Sequence, residues 1–563
     1  MGNIRRLDLS TGKAESYALD LRTQHDYLGG LGLGAYLMSS ADLSLPPLDP
    51  NLPLIVAVGS LTASGFPGAN RTCFFGVSPL TGLTAGSWLG GDFGQALARS
   101  GTLALVLEER ARVPSIVVVD PDGIEVSPRS DLWGLTVSQT RAVLQKDYGD
   151  CRVVCIGPAG ERLVPVANIR GDESHSAGRC GLGAVLGSKN VKAILARGST
   201  RIAAADPERL KAVTREATQA MRNSAFLMEV QGPIGTCNLV TPVNGFHAFP
   251  TGNHRERYFP TADQISGERI AKEYVSRRTT CPYCFVRCRL HVRIEGVELD
   301  AAEYETVWSF GGNNCVDDYS LIARANDLCN DLGLDTMSTG NTIAFYREYT
   351  DTLDDPSNIL DLIRKIGYRQ EEGDLLAQGS RAAARQLGVD YAMQVKGLEL
   401  AAYDPRKLTG MAISYSTTNR GGCHSRAWTV GDELSGRDFS GAELAEMVAN
   451  YHNTGCVRDS LIVCTFLAGD LQPFWARALS AVLGQPFDDQ ELAVTGERIY
   501  TLERMLNVRR GVDASQDVLP RRLIDGLVSP EKYREGMATY YQIRGWDARG
   551  HPKPEKLTAL GLS

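Results

Sequence analysis

Three cysteines fall in one run, Cys281-Pro-Tyr-Cys284-Phe-Val-Arg-Cys288. Thiolates are soft donors, and C-x2-C-x3-C lets one short segment wrap a corner of an iron–sulfur cube. A cubane takes four ligands, so another part of the chain must supply the last one. Zinc prefers paired C-x2-C units or a Cys/His set. No second C-x2-C is present, but His291, three residues past Cys288, keeps zinc open. Radical enzymes that use S-adenosylmethionine carry the opposite order, C-x3-C-x2-C. Disulfide frameworks belong to small secreted domains, and these 563 residues start without an apolar leader. The spacing favours iron–sulfur over zinc, and thirteen cysteines without an export signal point to a reducing cytoplasm.

The segments that must position these thiols change character along the chain. Short apolar runs bounded by Gly, Pro or Asp (Ile55–Val58, Leu103–Leu107, Ile116–Val119) read as strands. Glycine-rich turns at Gly29–Gly34, Gly90-Gly91 and Gly178–Gly183 separate them. The first is not a dinucleotide fingerprint, because Ala35 stands where G-x-G-x-x-G needs its last glycine and no clear buried strand precedes it. From about 204 onward helices dominate: 207–220, 319–332, 359–366, 442–448 and 492–506 carry apolar stripes at helical spacing. No repeat and no low-complexity tract is visible. The pattern predicts an α+β protein with a β-rich domain over 1–203 and helical domains over 204–393 and 394–563.

A net charge of −7 argues against a nucleic-acid binder, whose footprint is a basic patch. No apolar stretch approaches the ~20 residues that span a bilayer.

Further motifs carry a resemblance. Gly178-Arg179-Cys180-Gly181-Leu182-Gly183 through Asn190, Glu303-Tyr304-Glu305-Thr306, Gly333-Leu334-Asp335-Thr336, Tyr403-Asp404-Pro405-Arg406 and Asn419-Arg420-Gly421-Gly422-Cys423-His424 follow one another in this order. Together they resemble the tungsten-containing aldehyde:ferredoxin oxidoreductase family over essentially the whole chain. The resemblance implies a fourth cluster ligand. The family ends an Asp-x-x-Gly-Leu-Cys motif with it, and Asp459-Ser-Leu-Ile462-Val463-Cys464 holds that place, with Ile462 and Val463 for Gly and Leu. Without the resemblance, Cys464 reads as a buried apolar cysteine.

The resemblance also implies a β-rich first domain that cradles a bis-pterin cofactor carrying tungsten (or molybdenum). Pterin contacts fall on Arg71, Trp88, Gly90, Gly91, Ser176, Ala177, Gly178, Arg179, Asn330, Leu334, Asp335, Arg426, Asp459 and Val463. Asn330 replaces the family's leading Asp and keeps one carbonyl acceptor without the charge. Arg71 matches an arginine on a pterin phosphate, a role that suits its fork of donors. A Mg2+ ion joining the phosphates would use backbone carbonyls at Trp88 and Ser176.

Glu305 and His424 match the family's catalytic pair, with Glu303 a competing assignment. A carboxyl in a dry pocket titrates nearer neutrality, and histidine moves protons or polarises a carbonyl. Taken alone, such a Glu reads as solvated and such a His as structural. The implied activity is oxidation of small aldehydes to acids, with electrons leaving through a 4Fe-4S cluster to ferredoxin or a ferredoxin-like subunit. The chain would stand alone, as a homo-oligomer, or with iron–sulfur and flavin subunits, in an anaerobic cytoplasm. Two alternatives stay open: a member reducing carboxylates or thioesters, and an iron–sulfur electron-transfer subunit without pterin.

Overall fold

Residues 2–171 and 175–563 are described in a computed structural model. Strands concentrate in the first two hundred residues and helices after them, so the protein is α+β. The runs read as strands lie in β3 (Leu54–Ala57), β6 (Thr102–Glu108) and β7 (Ser115–Val119). Their side chains are buried on both faces, which is why they read as continuous apolar stretches rather than alternating ones.

With β1 (Asn3–Asp8), β2 (Lys13–Ala18), β4 (Thr72–Val77) and β5 (Thr84–Leu89), the first sheet runs β2-β1-β6-β3-β4-β5; with β8 (Ile124–Pro128), β9 (Arg152–Cys155), β10 (Ile169–Arg170), β11 (Ser176–Ala177) and β12 (Val191–Ala196), the second runs β11-β10-β9-β12-β7-β8. Read from its other edge, the second is the first with every strand number raised by six. In both sheets one parallel pair, β1 with β6 and β7 with β12, sits among antiparallel neighbours. The fold therefore contains a structural duplication that the sequence does not display.

The duplication extends to the glycines. Just past β3, a Cβ on Gly59 would stand 2.6 Å from the carbonyl oxygen of Leu461. Just past β9 (Arg152–Cys155), one on Gly157 would stand 2.3 Å from the carbonyl oxygen of Leu332. Each sheet thus presses bare backbone onto the end of one long helix, Tyr319–Leu332 or Gly441–Leu461. The Gly29–Gly34 stretch has a packing role. Gly30–Met38 is a helix against the 441–461 helix, and Gly32 N–H donates to Ser460 Oγ at 3.0 Å.

The predicted helices appear as Pro207–Asn223, Tyr319–Leu332, Ile359–Tyr368, Gly441–Leu461 and Asp489–Arg509. A third sheet interrupts them: β13 (Val275–Thr279), β14 (Arg289–Ile294) and β15 (Val297–Asp300). Its first connection carries the three clustered cysteines. No helix among the described residues is long and apolar enough to cross a membrane.

Gly157→Ala should lower the denaturant midpoint by an amount worth about 2 kcal/mol or more, since a carbonyl cannot retreat from the new methyl. Gly123→Ala, with nothing within 4 Å of its Cβ position, should stay within about 0.5 kcal/mol of the parent. Equal midpoints for the two variants would contradict the packing described.

Candidate functional site

The duplicated sheets meet two matching turns of the helical half. Helix Tyr319–Leu332 ends on Gly333 in the left-handed region (φ 76°). Leu334 then bridges to Ala167, and Asp335 caps helix Thr336–Tyr349 by accepting the Met337 N–H at 3.0 Å. Helix Gly441–Leu461 ends on Ile462 at φ 65°. Val463 bridges to Ala69, and Cys464 opens the short turn Thr465–Leu467.

Ile462 is a β-branched residue in a conformation that costs non-glycine residues about 1–2 kcal/mol. Its side chain is fully buried against Gly30 and Gly59. Packing therefore holds the turn that glycine adopts freely at 333, and the Gly-to-Ile departure leaves the backbone path intact.

Buried charge lines the space near these turns. From Arg179, Nη2 donates to the Glu399 carbonyl at 2.7 Å and Nε lies 3.4 Å from an Asp335 carboxylate oxygen; among the described residues Nη1 has no partner. Arg426 pairs with Glu503 at 3.1 Å, while its Nε faces Asp459 Oδ2 at 3.4 Å without a formed hydrogen bond. Asp459 Oδ1 accepts from Arg458 at 2.8 Å. Trp88 lies 5.1 and 4.8 Å from the Arg420 and Arg426 guanidiniums and donates to the Asp459 carbonyl at 3.4 Å. Gly91 takes a positive φ of 93°. Asn330, Ser176 and Gly178 line a polar cavity of about 110 Å3 with Arg170, Asp300 and Leu334. Ala177 lies beside Ser176 in β11, which runs close to β5 (Thr84–Leu89), the strand that carries Trp88.

Buried polar groups ordinarily find partners. Idle atoms on Arg179, Arg426 and Asp459, beside backbone stripped to glycine at 90 and 91, fit a polar, phosphate-bearing group. The donor set suits a pterin.

Glu305 and His424 meet. Glu305 is the second residue of helix Tyr304–Phe310; its Oε2 accepts the Ala402 N–H at 3.0 Å and its Oε1 lies 3.4 Å from His424 Nε2. Burial raises the Glu305 carboxyl to about 8. Burial, with Arg179, Arg420 and Arg458 nearby, lowers His424 to about 3. At neutral pH the pair is a carboxylic acid beside a neutral imidazole. Tyr403 lies against His424 (5.7 Å between ring centres), and Tyr304 and Trp428 flank Tyr403. Glu303 instead accepts from Thr236 and lies toward Arg289 and Arg71, which separates it from this pair.

The sequence reading gave no role to Cys423. Burial pushes its thiol up, but Arg420 (Nη2 at 2.8 Å, Nε at 3.1 Å) and the Ser425 hydroxyl at 3.2 Å outweigh that and bring it to about 7. Only its place beside His424 pointed there. Glu503, in the middle of a helix, carried no signal.

Cys281, Cys284 and Cys288 occupy the β13–β14 connection, where Tyr283 and Arg287 take positive φ and the Cys284 N–H bonds the Cys281 carbonyl at 3.1 Å. Cys464 joins them from the other half: after burial, its charge is the largest upward influence on the Cys281 and Cys288 thiols, and it raises Cys284 too. Arg71 spans the gap, with Nη2 3.6 Å from Cys464 Sγ and the Asp459 and Cys281 charges also acting on it. His291 is engaged by Asp300 at 3.3 Å and Thr279 at 3.1 Å. Among the described residues no three His, Cys, Asp or Glu side chains are placed to hold a single ion. A tetrahedral zinc would draw its sulfurs to about 4 Å of one another.

Comparison with known proteins gives a consistent picture. Residues 4–198 match the family model described as aldehyde ferredoxin oxidoreductase, N-terminal domain, and residues 212–562 match its domains 2 and 3. The chain is 34% identical over 601 residues to a tungsten-containing aldehyde ferredoxin oxidoreductase of Pyrococcus furiosus, covering 100% of this chain and 99% of that protein. A protein of the same name from Thermococcus kodakarensis is 34% identical over 599 residues, with the same coverage. The WOR-like subunit of an aliphatic sulfonate oxidoreductase of P. furiosus is 26% identical, covering 100% and 97%. Among solved structures, the active site complex BamBC of benzoyl coenzyme A reductase, determined with 1,5-dienoyl-CoA, has the same fold: TM-score 0.88 at 24% identity, covering 100% of this chain and 97% of that one.

The two titrations give opposite stability signs. A carboxyl raised to about 8 contributes stability that is complete below about 4.5 and lost as pH rises to 8. An imidazole lowered to about 3 contributes above about 6.5 and loses it as pH falls toward 3. Between pH 5 and 8 the thermal midpoint of the parent should therefore fall relative to Glu305→Gln. A pH-independent difference would contradict a buried, proton-holding Glu305.

Proposed function

The chain belongs to the aldehyde ferredoxin oxidoreductase family and is an enzyme, and from that footing we propose that it oxidises aldehydes to carboxylic acids at a tungsten–bis-pterin centre and sends electrons through a 4Fe-4S cluster to ferredoxin. The observation that carries this reading is the convergence on one strained turn. Asp459 meets Arg458 and Arg426, and Cys464, five residues on, acts on the thiols of Cys281, Cys284 and Cys288, which supports one segment serving both groups.

Overall, R–CHO and water give R–COOH, two protons and two electrons. A metal–pterin bound there would supply the two-electron change, and a cluster held by Cys281, Cys284, Cys288 and Cys464 would supply the one-electron path onward. The chain's own residues do the rest. Arg179, Arg426 and Asp459 bind and orient the pterins, and Arg71 reaches between them and the cluster. Trp88 and Ser176, on the facing edge strands β5 and β11, would offer backbone carbonyls to a Mg2+ ion. Neutral His424 keeps a ring N–H that donates to the aldehyde oxygen as charge builds on it. Glu305, raised to about 8, takes up a proton from its carboxylate form, the minority form at neutral pH, so its share as a base grows as pH climbs toward 8. Tyr403, Tyr304 and Trp428 keep the space dry, so these charges act at low dielectric.

Relatives named for sulfonate and benzoyl-CoA chemistry share the frame, so the substrate class needs a direct test. Anaerobically prepared enzyme should reduce a viologen dye with aldehydes, and Glu305→Gln and His424→Asn should each lose about 10²-fold or more while keeping tungsten. Cys464→Ala should lose most of the parent's iron, about four per chain. Near-parent rates in both site variants would remove the assigned roles. A full iron complement in Cys464→Ala would move the fourth ligand elsewhere.

A further inference from the structure

His175 lies between the pterin cradle and the cysteine corner and takes no part in the chemistry above. Ser176, its next residue, begins β11. The imidazole leans the other way, with Nε2 3.3 Å from Cys281 Sγ. Arg289 Nη1 approaches both ring nitrogens, Nδ1 at 2.7 Å and Nε2 at 3.1 Å. A guanidinium only donates, and acceptance at Nδ1, the shorter contact, is the arrangement that leaves the ring hydrogen on Nε2, where it can face the sulfur.

The surroundings are shaped for this ring. A Cβ on Gly90 would stand 2.4 Å from His175 Cδ2 and 2.7 Å from Nε2, so only glycine leaves room. The Gly91 backbone N–H also lies where it favours the thiolate of the same Cys281. The glycine pair therefore both admits the imidazole and adds a second donor to one thiolate.

We propose that Arg289, His175 and Cys281 form a hydrogen-bond relay that raises the reduction potential of the iron–sulfur cluster. This rests on the four-cysteine reading above. A reduced cluster carries one more negative charge than an oxidised one, and a donor on a ligating sulfur stabilises the more negative state. The guanidinium on Nδ1 polarises the ring and strengthens the Nε2–H donor. His175 is a positioning residue: it sets the driving force for electrons leaving the pterin and touches no substrate.

The test is an EPR-monitored redox titration of anaerobic holoenzyme, with iron and tungsten counted on each sample. His175→Leu should keep parent iron content and titrate at a more negative midpoint. His175→Gln, whose side-chain amide restores an N–H, should return toward the parent. Gly90→Ala leaves every relay residue in place but displaces the ring, and should shift the midpoint in the same direction as His175→Leu. Unchanged midpoints in His175→Leu and Gly90→Ala at full iron content would overturn the relay. Should His175→Leu shed its iron, His175→Gln and Gly90→Ala decide by the same criterion. Parent protein without iron would instead sink the four-cysteine reading, a distinct failure.

Discussion

Charge held away from water and short of partners is the constraint around which this protein is built. The guanidiniums of Arg179 and Arg426 and the carboxylates of Asp335 and Asp459 all lie in the interior, where an ion without compensation is costly. Protein contacts meet part of that demand: Glu503 faces Arg426, Arg458 faces Asp459, and the Glu399 carbonyl meets Arg179. What remains idle among the described residues is Arg179 Nη1 and, facing each other at 3.4 Å, Arg426 Nε and Asp459 Oδ2. On the proposed reading a polar cofactor bearing phosphates and amide-like ring edges would complete the set. The strain at Ile462 belongs to the same economy, because burial against Gly30 and Gly59 sustains a turn that the residue itself disfavours.

On the proposed reading, the arrangement would also join two redox groups through short connections. Asp459 and Cys464 share one turn, Arg71 reaches toward both, and His175 continues directly into Ser176 of the cradle. Bonds along the 459–464 segment are local, and the sheets clamp that segment through Ala69.

Much of this was legible beforehand, for identifiable reasons. The thiol run shows in spacing alone, and the β-rich first third shows because its strands are buried on both faces. Helices Pro207–Asn223 and Tyr319–Leu332 were readable because only one stripe of each is buried. Helix Gly441–Leu461 read as only 442–448 because its second half is buried almost all round, which erases the helical period. The β13–β14 hairpin escaped notice because Val-Ser-Arg-Arg-Thr is polar and half exposed, without the alternation that marks a strand. The duplication escaped because topology repeats while residues do not; only Gly59 with Gly157 and Ala69 with Ala167 keep a trace. Cys464 and the pair Glu305–His424 were assigned through family resemblance. The structure brings Glu305 Oε1 within 3.4 Å of His424 Nε2, and Cys464 acts on the thiols of Cys281, Cys284 and Cys288; their roles stay part of the proposal.

The account rests on a heavy metal lying between the turns at Gly333 and Ile462, with iron beside Cys464. Anomalous diffraction from crystals of anaerobically isolated protein, collected at the tungsten and iron edges, tests it most directly. One tungsten (or molybdenum) peak between the two turns and an iron peak enclosed by Cys281, Cys284, Cys288 and Cys464 is the predicted result. A heavy-atom peak elsewhere, or zinc alone at the cysteines with well-ordered protein filling the space between the turns, would contradict it.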